Sequence, residues 1–406
     1  MNKPELLAPA GNLEKLKIAF KYGADAVYCG GYHFGLRAGA DNFSKEDLKE
    51  GTIYAHENNG KIYVTVNIIP HNEDLIGLTD YLHQLEEIDV DGIIVSDPGV
   101  LYLIKEEEIK IPLHLSTQAN TVNWASAKFW REMGFDRVIL ARELSKEEIK
   151  EIRQKSNIGL EFFIHGSMCI SYSGRCLLSN YLAGRDANRG KCAHSCRWKY
   201  HLVEEKRPGE YHPIFEDENG AYILNSKDLC LIEYIPQIMS LNVDSLKIEG
   251  RMKSVHYVAT VTKTYREAIN KFYNNPEEFS YQEEWLKELE KVSHREYTTG
   301  FFNSPPDESD HNYESSSYKR EYDFMGIIKD YYPKKNLALV EVRNKFYQGD
   351  KVEIFGPERT AFSVEVDFII NEDGEKVKTA PHPQQLIKIP VNKKVKADYI
   401  VRRKKG

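Results

Sequence analysis

The first 167 residues of this 406-residue chain repeat one unit: a short apolar, β-rich run, a turn, and a stretch with helical periodicity. An eighth unit, SLKIEG (245–250) followed by an amphipathic stretch, comes later. Strand–helix units at this spacing indicate parallel strands, and runs that are apolar almost throughout are typical of strands covered on both faces. The seven earlier predicted strands are ELLAPA (5–10), DAVYCGG (25–31), KIYVTVN (61–67), DGIIVSD (91–97), PLHLSTQ (112–118), DRVILARE (136–143) and GLEFFIHGS (159–167).

Eight units favour an α/β fold, a closed (β/α)₈ barrel of the TIM type, with a doubly wound open sheet as the alternative. The barrel is predicted to comprise residues 1–167 and 245–298, because the eighth unit follows a long gap. Residues 168–244 are then an insertion after strand seven, and Asn219-Gly220 within it predicts the turn of a β-hairpin.

The pattern changes in the last quarter of the chain. A polar stretch rich in turn residues predicts a linker over residues 299–320. Over residues 321–406 the apolar period becomes two, which predicts strands. Six strand-like runs favour a small all-β barrel or sandwich with a binding or scaffolding role: MGIIKDYY, NLALVEVRN, KVEIFGP, AFSVEVDFII, LIKIPV and YIVRRK.

Composition excludes two classes of protein. With 41% hydrophobic and 29% charged residues, the chain is typical of a globular protein rather than a disordered one. No apolar run approaches the ~18 residues of a membrane-spanning helix, and the first residues lack the apolar core of a signal peptide. We therefore expect a cytoplasmic protein.

The net charge of −7 conceals two basic segments. Residues 164–200 carry six Lys and Arg side chains against one acidic side chain, and residues 391–406 carry seven against one. A basic tail is often only a solvated end, but two basic segments favour a polyanionic partner. The candidate phosphate-binding side chains of the first segment are Arg185, Arg189, Arg197 and Lys199.

Polar side chains follow the predicted barrel strands, at the end where (β/α)₈ enzymes place their active sites. Strand ends are often polar, and some of these residues will cap helices, but together they outline a pocket. Arg37, Asn67 and Gln118 are candidate substrate-binding residues. The other polar residues at the strand ends are Asp97, Arg142, Glu143, His165, Glu249 and Arg251.

Lys247, Glu249 and Arg251 alternate along strand eight, so at period two they share one face. The lumen is the favoured side, because charges buried unpaired under helices are costly. There Lys247 and Arg251 would bind a small dicarboxylate, and Glu249, His165 or Glu143 would be the candidate catalytic groups that move protons. The alternative is a structural Lys–Glu–Arg network that stiffens the barrel.

Four of the six cysteines lie within 28 consecutive residues, in the pattern C-x₆-C-x₁₅-C-x₃-C. Such clustering in a reducing compartment indicates a metal rather than disulfides. Zinc usually pairs its ligands as C-x₂₋₄-C, whereas a [4Fe–4S] cluster accommodates longer loops, so the cluster is favoured over structural zinc and over unligated thiols. The other two cysteines, Cys29 and Cys230, are expected to be buried. The predicted ligands are Cys169, Cys176, Cys192 and Cys196.

The signatures of common hydrolases are missing: the chain contains no G-x-S-x-G, no H-E-x-x-H and no P-loop. A cysteine nucleophile at Cys169 beside His165 is conceivable. A thiolate that ligates iron is not free to attack a carbonyl, however.

The segment EFFIHGSMCISYSGRCLLS (161–179) matches, position for position, the signature E-x-F-x₂-G-S-M-C-x₄-G-x-C-x-L-S of the collagenase-like peptidase family of unknown catalytic type. LLAPAGN near the start, GRDANRGKCAHSCRWKY after the motif and SLKIEGRMKS at strand eight also resemble that family. The resemblance spans residues 4–270, and the β-rich tail resembles the C-terminal domain of the family.

Within the family, the spacing of Cys192 and Cys196 is similar to that of the bacterial tRNA hydroxylation branch. The resemblance implies a tRNA-modifying enzyme that converts the wobble uridine to 5-hydroxyuridine without dioxygen, using an iron–sulfur cluster and prephenate as co-substrate. It also implies binding of the anticodon region of tRNA. Relatives acting on ribosomal RNA or on a ubiquinone precursor leave another RNA or a quinone precursor as alternative substrates, and the older family label implies a collagenase-like endopeptidase.

Overall fold

The structure is a computed structural model. The residues that it describes are 3–32, 34–35, 41–168, 179, 183–185, 187, 191–193, 195, 216–217, 220–221, 227–304 and 318–405.

Eight parallel strands close into a barrel, which confirms the predicted (β/α)₈ fold. The barrel consists of the first seven strands and the eleventh, whose Ser245 is aligned with Glu161 on one side and with Glu5 on the other. The strands up to residue 298 are β1 (Glu5–Pro9), β2 (Ala26–Cys29), β3 (Lys61–Val66), β4 (Gly92–Val95), β5 (Leu113–Leu115), β6 (Arg137–Ile139), β7 (Gly159–Ser167), β8 (Glu216–Asp217), β9 (Gly220–Ala221), β10 (Asp228–Cys230), β11 (Ser245–Ile248) and β12 (Tyr297–Thr298).

Helices cover the outside of the barrel, and six of the nine described helices begin at a side chain that accepts a backbone N–H group of the first turn. At the sixth helix the Ser145 and Glu148 side chains each accept a hydrogen bond from the other residue's backbone N–H, which forms a capping box. The helices are α1 (Leu13–Lys21), α2 (Lys45–Glu57), α3 (Leu78–Ile88), α4 (Pro98–Glu106), α5 (Trp124–Glu132), α6 (Lys146–Lys155), α7 (Ile235–Ser240), α8 (Val255–Asn274) and α9 (Glu283–Leu289). Among the described helices, none is long and apolar enough to cross a bilayer.

Two further strands extend the barrel sheet. β10 pairs antiparallel with the end of β7, and β12 pairs parallel with β10. The sequence pattern did not predict either strand. β8 and β9 pair antiparallel within the region where the hairpin was predicted, with Gly220 of the predicted turn lying in β9 itself.

The described chain beyond residue 320 is all-β, as predicted, and every one of the six predicted runs contains a strand. The strands pair antiparallel. Its main sheet has the order β17-β16-β22-β13-β14-β21-β18-β19. The strands are β13 (Tyr322–Tyr332), β14 (Leu337–Val342), β15 (Phe346–Tyr347), β16 (Lys351–Gly356), β17 (Arg359–Glu365), β18 (Ile369–Ile370), β19 (Lys376–Val377), β20 (Thr379–Ala380), β21 (Leu386–Pro390) and β22 (Ile400–Lys404).

The β-domain packs against the helices of the barrel through a buried arginine. Arg402 on β22 has a fully buried side chain and lies 2.8 Å from a carboxylate oxygen of Glu288 on α9. Its Nε donates to Glu353 on β16 at 2.9 Å. Tyr22 at the end of α1 also donates a hydrogen bond to the carbonyl oxygen of Asp398 at 2.9 Å. The domain therefore lies beside α1, α8 and α9, close to the mouth-side loop that follows β11.

Candidate functional site

A network of charged side chains fills the lower part of the barrel lumen. Lys247 Nζ donates to Glu161 Oε1 at 2.7 Å. Arg137 lies 3.2 Å from Glu161 Oε2 and 2.7 Å from Glu5 Oε1. Burial opposes ionisation of the fully buried Glu161, but Lys247 and Arg137 outweigh it and lower the pKa of that carboxyl group. Strands β1, β6, β7 and β11 are thereby joined through paired charges.

The position of Lys247 bears on its predicted role in carboxylate binding. Its ammonium group is hydrogen-bonded to Glu161 and lies 4.2 Å from the ring centroid of Tyr28. The lumen placement predicted for Lys247 is right, but this contact favours the structural network over the binding of a dicarboxylate. The members of that network are Glu161 and Arg137, rather than Glu249 and Arg251.

Glu249 and Arg251 lie above this network, just beyond the end of β11 at Ile248. The predicted strand extended to residue 250. Tyr28 donates a hydrogen bond to Glu249 Oε2 at 3.0 Å, and burial followed by the nearby Glu249 carboxylate raises the pKa of Tyr28. The phenol therefore stays protonated and serves as a donor to Glu249, which is half-buried.

The guanidinium group of Arg251 is buried at the mouth and oriented by two hydrogen bonds. It donates to Asn42 Oδ1 at 2.7 Å and to Thr65 Oγ1 at 3.2 Å. Gly30, just after β2, leaves room for this side chain, because a Cβ atom on residue 30 would lie 2.3 Å from a terminal nitrogen of Arg251. The ends of β2, β3 and β11 thus meet around this guanidinium group.

Two of the predicted substrate-binding residues lie on the same rim. Asn67 Nδ2 donates to Ser116 Oγ at 3.1 Å, and the backbone N–H of Gln118 donates to the same oxygen at 3.4 Å. Both side chains are buried. Thr65, which accepts a hydrogen bond from Arg251, lies on β3, and Asn67 directly follows the end of that strand. The structure therefore brings Asn67, Gln118 and Arg251 to one end of the barrel.

The end of β6 contributes a second cation to the mouth. The guanidinium carbon of Arg142 lies 3.9 Å from the ring centroid of Phe163, a residue that Lys247 also approaches, at 5.6 Å. The next residue, Glu143, is half-buried. Asp97 has a different role, since its Oδ1 accepts the first backbone N–H groups of α4 and caps that helix.

A β-bulge turns His165 away from the pocket. In β7, Phe163 pairs with Lys247 and His165 pairs with Ile248, so Ile164 is an extra residue. A bulge interrupts the alternation of side chains along a strand. His165 therefore does not share the lumen face of Glu161 and Phe163.

The ring of His165 lies instead in a cluster of tyrosines. Its centroid is 6.0 Å from that of Tyr257, 5.5 Å from that of Tyr265 and 5.4 Å from that of Tyr297. Tyr257 and Tyr265 belong to α8, on the outside of the barrel. Burial lowers the pKa of His165 to about 3, so its imidazole is neutral. The backbone N–H of Glu249 donates to the carbonyl oxygen of His165 at 2.9 Å, so the two residues are neighbours although the imidazole packs among the tyrosines.

Several predicted site residues lie outside the described residues. Of the predicted cluster ligands, only Cys192 is described, and its side chain is half-buried. Arg185 Nε donates to the carbonyl oxygen of Lys191 at 3.1 Å, next to Cys192. Within the described ranges, no group of three or more His, Cys, Asp or Glu side chains is arranged for a metal ion. The predicted residues that are not described are Arg37, Cys169, Cys176, Arg189, Cys196, Arg197 and Lys199.

Cys29 and Cys230 are buried, as predicted. Burial raises the pKa of both thiols to about 12. Neither thiol is therefore a nucleophile at neutral pH.

No sequence motif marks the further pocket residues Tyr28, Asn42, Thr65 and Ser116. The signal that could have found two of them was alternation, because Tyr28 and Thr65 are polar positions within otherwise apolar strands. Asn42 follows β2 at a distance, and only the fold brings it to Arg251.

Comparison with known proteins identifies the family. The model of peptidase family U32 matches residues 11–312, and that of the U32 C-terminal domain matches residues 320–402. The chain is 46% identical over 403 residues to tRNA hydroxylation protein P1 of Bacillus subtilis, covering 99% of this chain and 95% of the relative. It is 39% identical to tRNA hydroxylation protein P of Escherichia coli, covering 98% and 96%. It is 32% identical to a protein named collagenase from Porphyromonas gingivalis, covering 98% and 96%. These matches confirm the resemblance drawn from the motif, and the chain belongs to peptidase family U32.

Proposed function

We propose that this chain is an enzyme that hydroxylates tRNA. In its specific form, the reaction is the oxygen-independent, prephenate-dependent conversion of the wobble uridine to 5-hydroxyuridine, with an iron–sulfur cluster as cofactor. The observation that carries the proposal is the full-length similarity to relatives named tRNA hydroxylation proteins, at 46% and 39% identity. A pocket at the C-terminal end of a (β/α)₈ barrel is the usual place for an active site.

The charges of the mouth suit a small dicarboxylate co-substrate. Arg251 and Arg142 both lie close enough to Tyr28 to influence its ionisation. A guanidinium group pairs well with a carboxylate through two parallel hydrogen bonds, and the bonds from Arg251 to Asn42 and Thr65 orient it in advance. We therefore assign carboxylate binding to Arg251, assisted by Arg142.

Glu249 is the group that we assign to proton transfer. Its carboxylate is half-buried at the mouth, and Tyr28 donates a hydrogen bond to one of its oxygens. That hydrogen bond fixes the carboxylate in position, so that it can accept a proton from a bound ligand at a defined place. Asn67 and Gln118 are assigned to orient the ligand through their amide groups.

The experiment that tests the function is nucleoside analysis of tRNA by mass spectrometry. A strain that lacks the gene should contain no 5-hydroxyuridine or nucleosides derived from it, and the wild-type gene should restore them. A strain in which a second pathway makes the same nucleoside must have that pathway removed first. Unchanged 5-hydroxyuridine in the resulting strain would show that the proposal is wrong.

The cofactor proposal rests on the four clustered cysteines. Four thiolates suit a [4Fe–4S] cluster, which when bound supplies electron transfer or Lewis acidity. The ligands would be Cys169, Cys176, Cys192 and Cys196. Two hydrogen bonds hold the chain on either side of Cys192. Arg185 donates to the carbonyl oxygen of Lys191, and the backbone N–H of Ala193 donates to Ser179 Oγ at 2.9 Å.

Replacement of one ligand should remove the iron. We expect anaerobically purified wild-type protein to contain about four irons per chain, and Cys192→Ser to lose them because an incomplete thiolate set binds weakly. Cys230→Ser is the control, since that thiol is buried beside Tyr265. Iron and acid-labile sulfide analysis provide the measurement. Stoichiometric zinc without iron after reconstitution would contradict the proposal.

A second candidate function is proteolysis, which the relative named collagenase favours. Cys29 and Cys230 are poor nucleophiles because burial raises the pKa of each to about 12. Assaying one protein preparation for both activities distinguishes the two functions. Cleavage of denatured collagen that is lost in Cys169→Ser but survives iron removal would favour the peptidase, and its absence would favour the hydroxylase.

A further inference from the structure

A cleft of about 710 Å³ separates the mouth side of the barrel from the β-domain. One wall is the loop after β11, with Glu249 and Lys253, and the opposite wall is formed by β13 and the chain end at Lys405. Tyr318 and Arg320 line the cleft between these walls. Glu249 also belongs to the pocket, so the cleft lies next to the barrel mouth.

Three cations converge on one aromatic ring in this cleft. Lys253 Nζ lies 4.4 Å from the ring centroid of Tyr318, and the guanidinium carbons of Arg295 and Arg320 lie at 5.3 Å and 5.9 Å. The protein fixes this arrangement through Ser293, whose carbonyl oxygen accepts from Lys253 at 2.9 Å and whose hydroxyl accepts from Arg320 at 3.3 Å. Asp228 Oδ2 lies 4.0 Å from Lys253 Nζ and supplies a countercharge on the barrel side, while Lys253 and Arg320 also line the cleft, where they would attract a polyanion.

The opposite wall adds to the positive charge. Lys405 lies 3.5 Å from Asp323 Oδ1, while Arg403 lies 3.2 Å from Asp323 Oδ2. Arg403 also pairs with Asp350, whose Oδ2 atom lies 2.8 Å from its guanidinium group, so the cation that this wall presents to the cleft is Lys405, whose side chain remains 46% exposed. The C-terminal basic segment noted in the sequence thus contributes to the same cleft as Lys253 and Arg320.

We propose that this cleft binds the phosphodiester backbone of RNA and leads it to the barrel mouth. The inference rests on the proposed function and adds a contact surface for the tRNA beyond the cysteine segment. Cations interleaved with aromatic rings, here Tyr318, Tyr322 and Phe324, are typical of surfaces that bind single-stranded nucleic acid. An acidic peptide would use the cations but not the aromatic rings.

The test uses the full-length protein with the double substitution Arg320→Gln and Lys405→Gln. Both residues are exposed, so the variant should fold. The matched control is Lys105→Gln with Lys110→Gln, two exposed cations at the N-terminal side of β5, at the other end of the barrel. The probe is an anticodon stem-loop RNA, and the measurement is its Kd by fluorescence anisotropy over a range of salt concentrations.

We expect the cleft variant to bind the RNA about tenfold more weakly, with a salt slope reduced by about 0.7 to 0.9 for each phosphate that the variant no longer neutralises. The control should match the wild type. If the wild type binds RNA and the cleft variant shows the same Kd and salt slope, the cleft proposal is wrong while the proposed function stands. If wild-type protein binds no RNA, the proposed function fails as well. If polyglutamate displaces the RNA at a lower concentration than poly(U) does, the occupant is an acidic peptide and the proposal is overturned.

Discussion

Replacing Glu161 by Ala should lower the free energy of unfolding by about 3–5 kcal/mol. Glu161 is fully buried and pairs with two buried cations, Lys247 at 2.7 Å and Arg137 at 3.2 Å. Removal of the carboxylate leaves Lys247 charged inside the lumen without its hydrogen-bond acceptor. The measurement is urea denaturation followed by circular dichroism.

An exposed ion pair on the same barrel provides the control. Glu151 and Lys155 form a surface pair one turn apart on α6, and Glu151→Ala should cost about 0.5 kcal/mol or less. Combining Glu161→Gln with Lys247→Met should recover part of the stability, because both charges disappear and Arg137 keeps its ion pair with Glu5 at 2.7 Å. A destabilisation in Glu161→Ala no larger than that of the control would contradict the network.

The pH dependence of stability gives a second readout of the same network. Burial raises the pKa of Glu161, but the two cations Lys247 and Arg137 lower it by more than burial raises it. The pKa of Glu161 in the folded state therefore lies below the unfolded value of about 4.3. The stability that the ionised Glu161 contributes is therefore complete above the unfolded pKa, and it is lost as the pH falls through the folded pKa. The difference in stability between wild type and Glu161→Gln should be constant from about pH 5.5 to 8 and shrink below about pH 4.

The barrel could be predicted from the sequence because its signal is local. Each strand carries its own apolar run of β-forming residues, and eight repeats followed by helical periodicity leave few topologies. The C-terminal sheet was predictable for the same reason, since alternation at period two extends over each long strand. The strands β10 and β12 have only three and two residues, and their pairing depends on the end of β7 and on each other rather than on a pattern in their own residues.

The pairing of charges could not be predicted, because it depends on contacts between distant residues. Lys247 and Glu161 are separated by 86 positions, and period two along strand eight suggested partners at Glu249 and Arg251 instead. The extra residue Ile164 in β7 carries no sequence signal, since bulges arise from register with a neighbouring strand. That one residue turns His165 from the lumen towards α8.

Replacing Arg251 by Ala should reduce kcat/KM for the dicarboxylate about 10- to 100-fold, because a hydrogen bond to a charged group contributes about 1.5–3 kcal/mol. Arg251→Lys should recover only part of the activity, since an ammonium group keeps the charge but not the two parallel donors of a guanidinium group. The measurement is the rate of 5-hydroxyuridine formation in purified, undermodified tRNA, with each substrate varied separately.

Measuring KM for the dicarboxylate and KM for tRNA separately shows whether Arg251 binds the co-substrate or only supports the structure of the mouth. If Arg251 holds the co-substrate, KM for the dicarboxylate rises in Arg251→Ala while KM for tRNA stays the same. If Arg251 only joins β11 to Asn42 and Thr65, its removal loosens the whole mouth and affects both substrates together. Arg131→Ala, on the exposed end of α5, controls for the removal of one positive charge. An equal change in both KM values would therefore assign Arg251 to the framework of the barrel and leave Arg142 as the candidate carboxylate-binding cation.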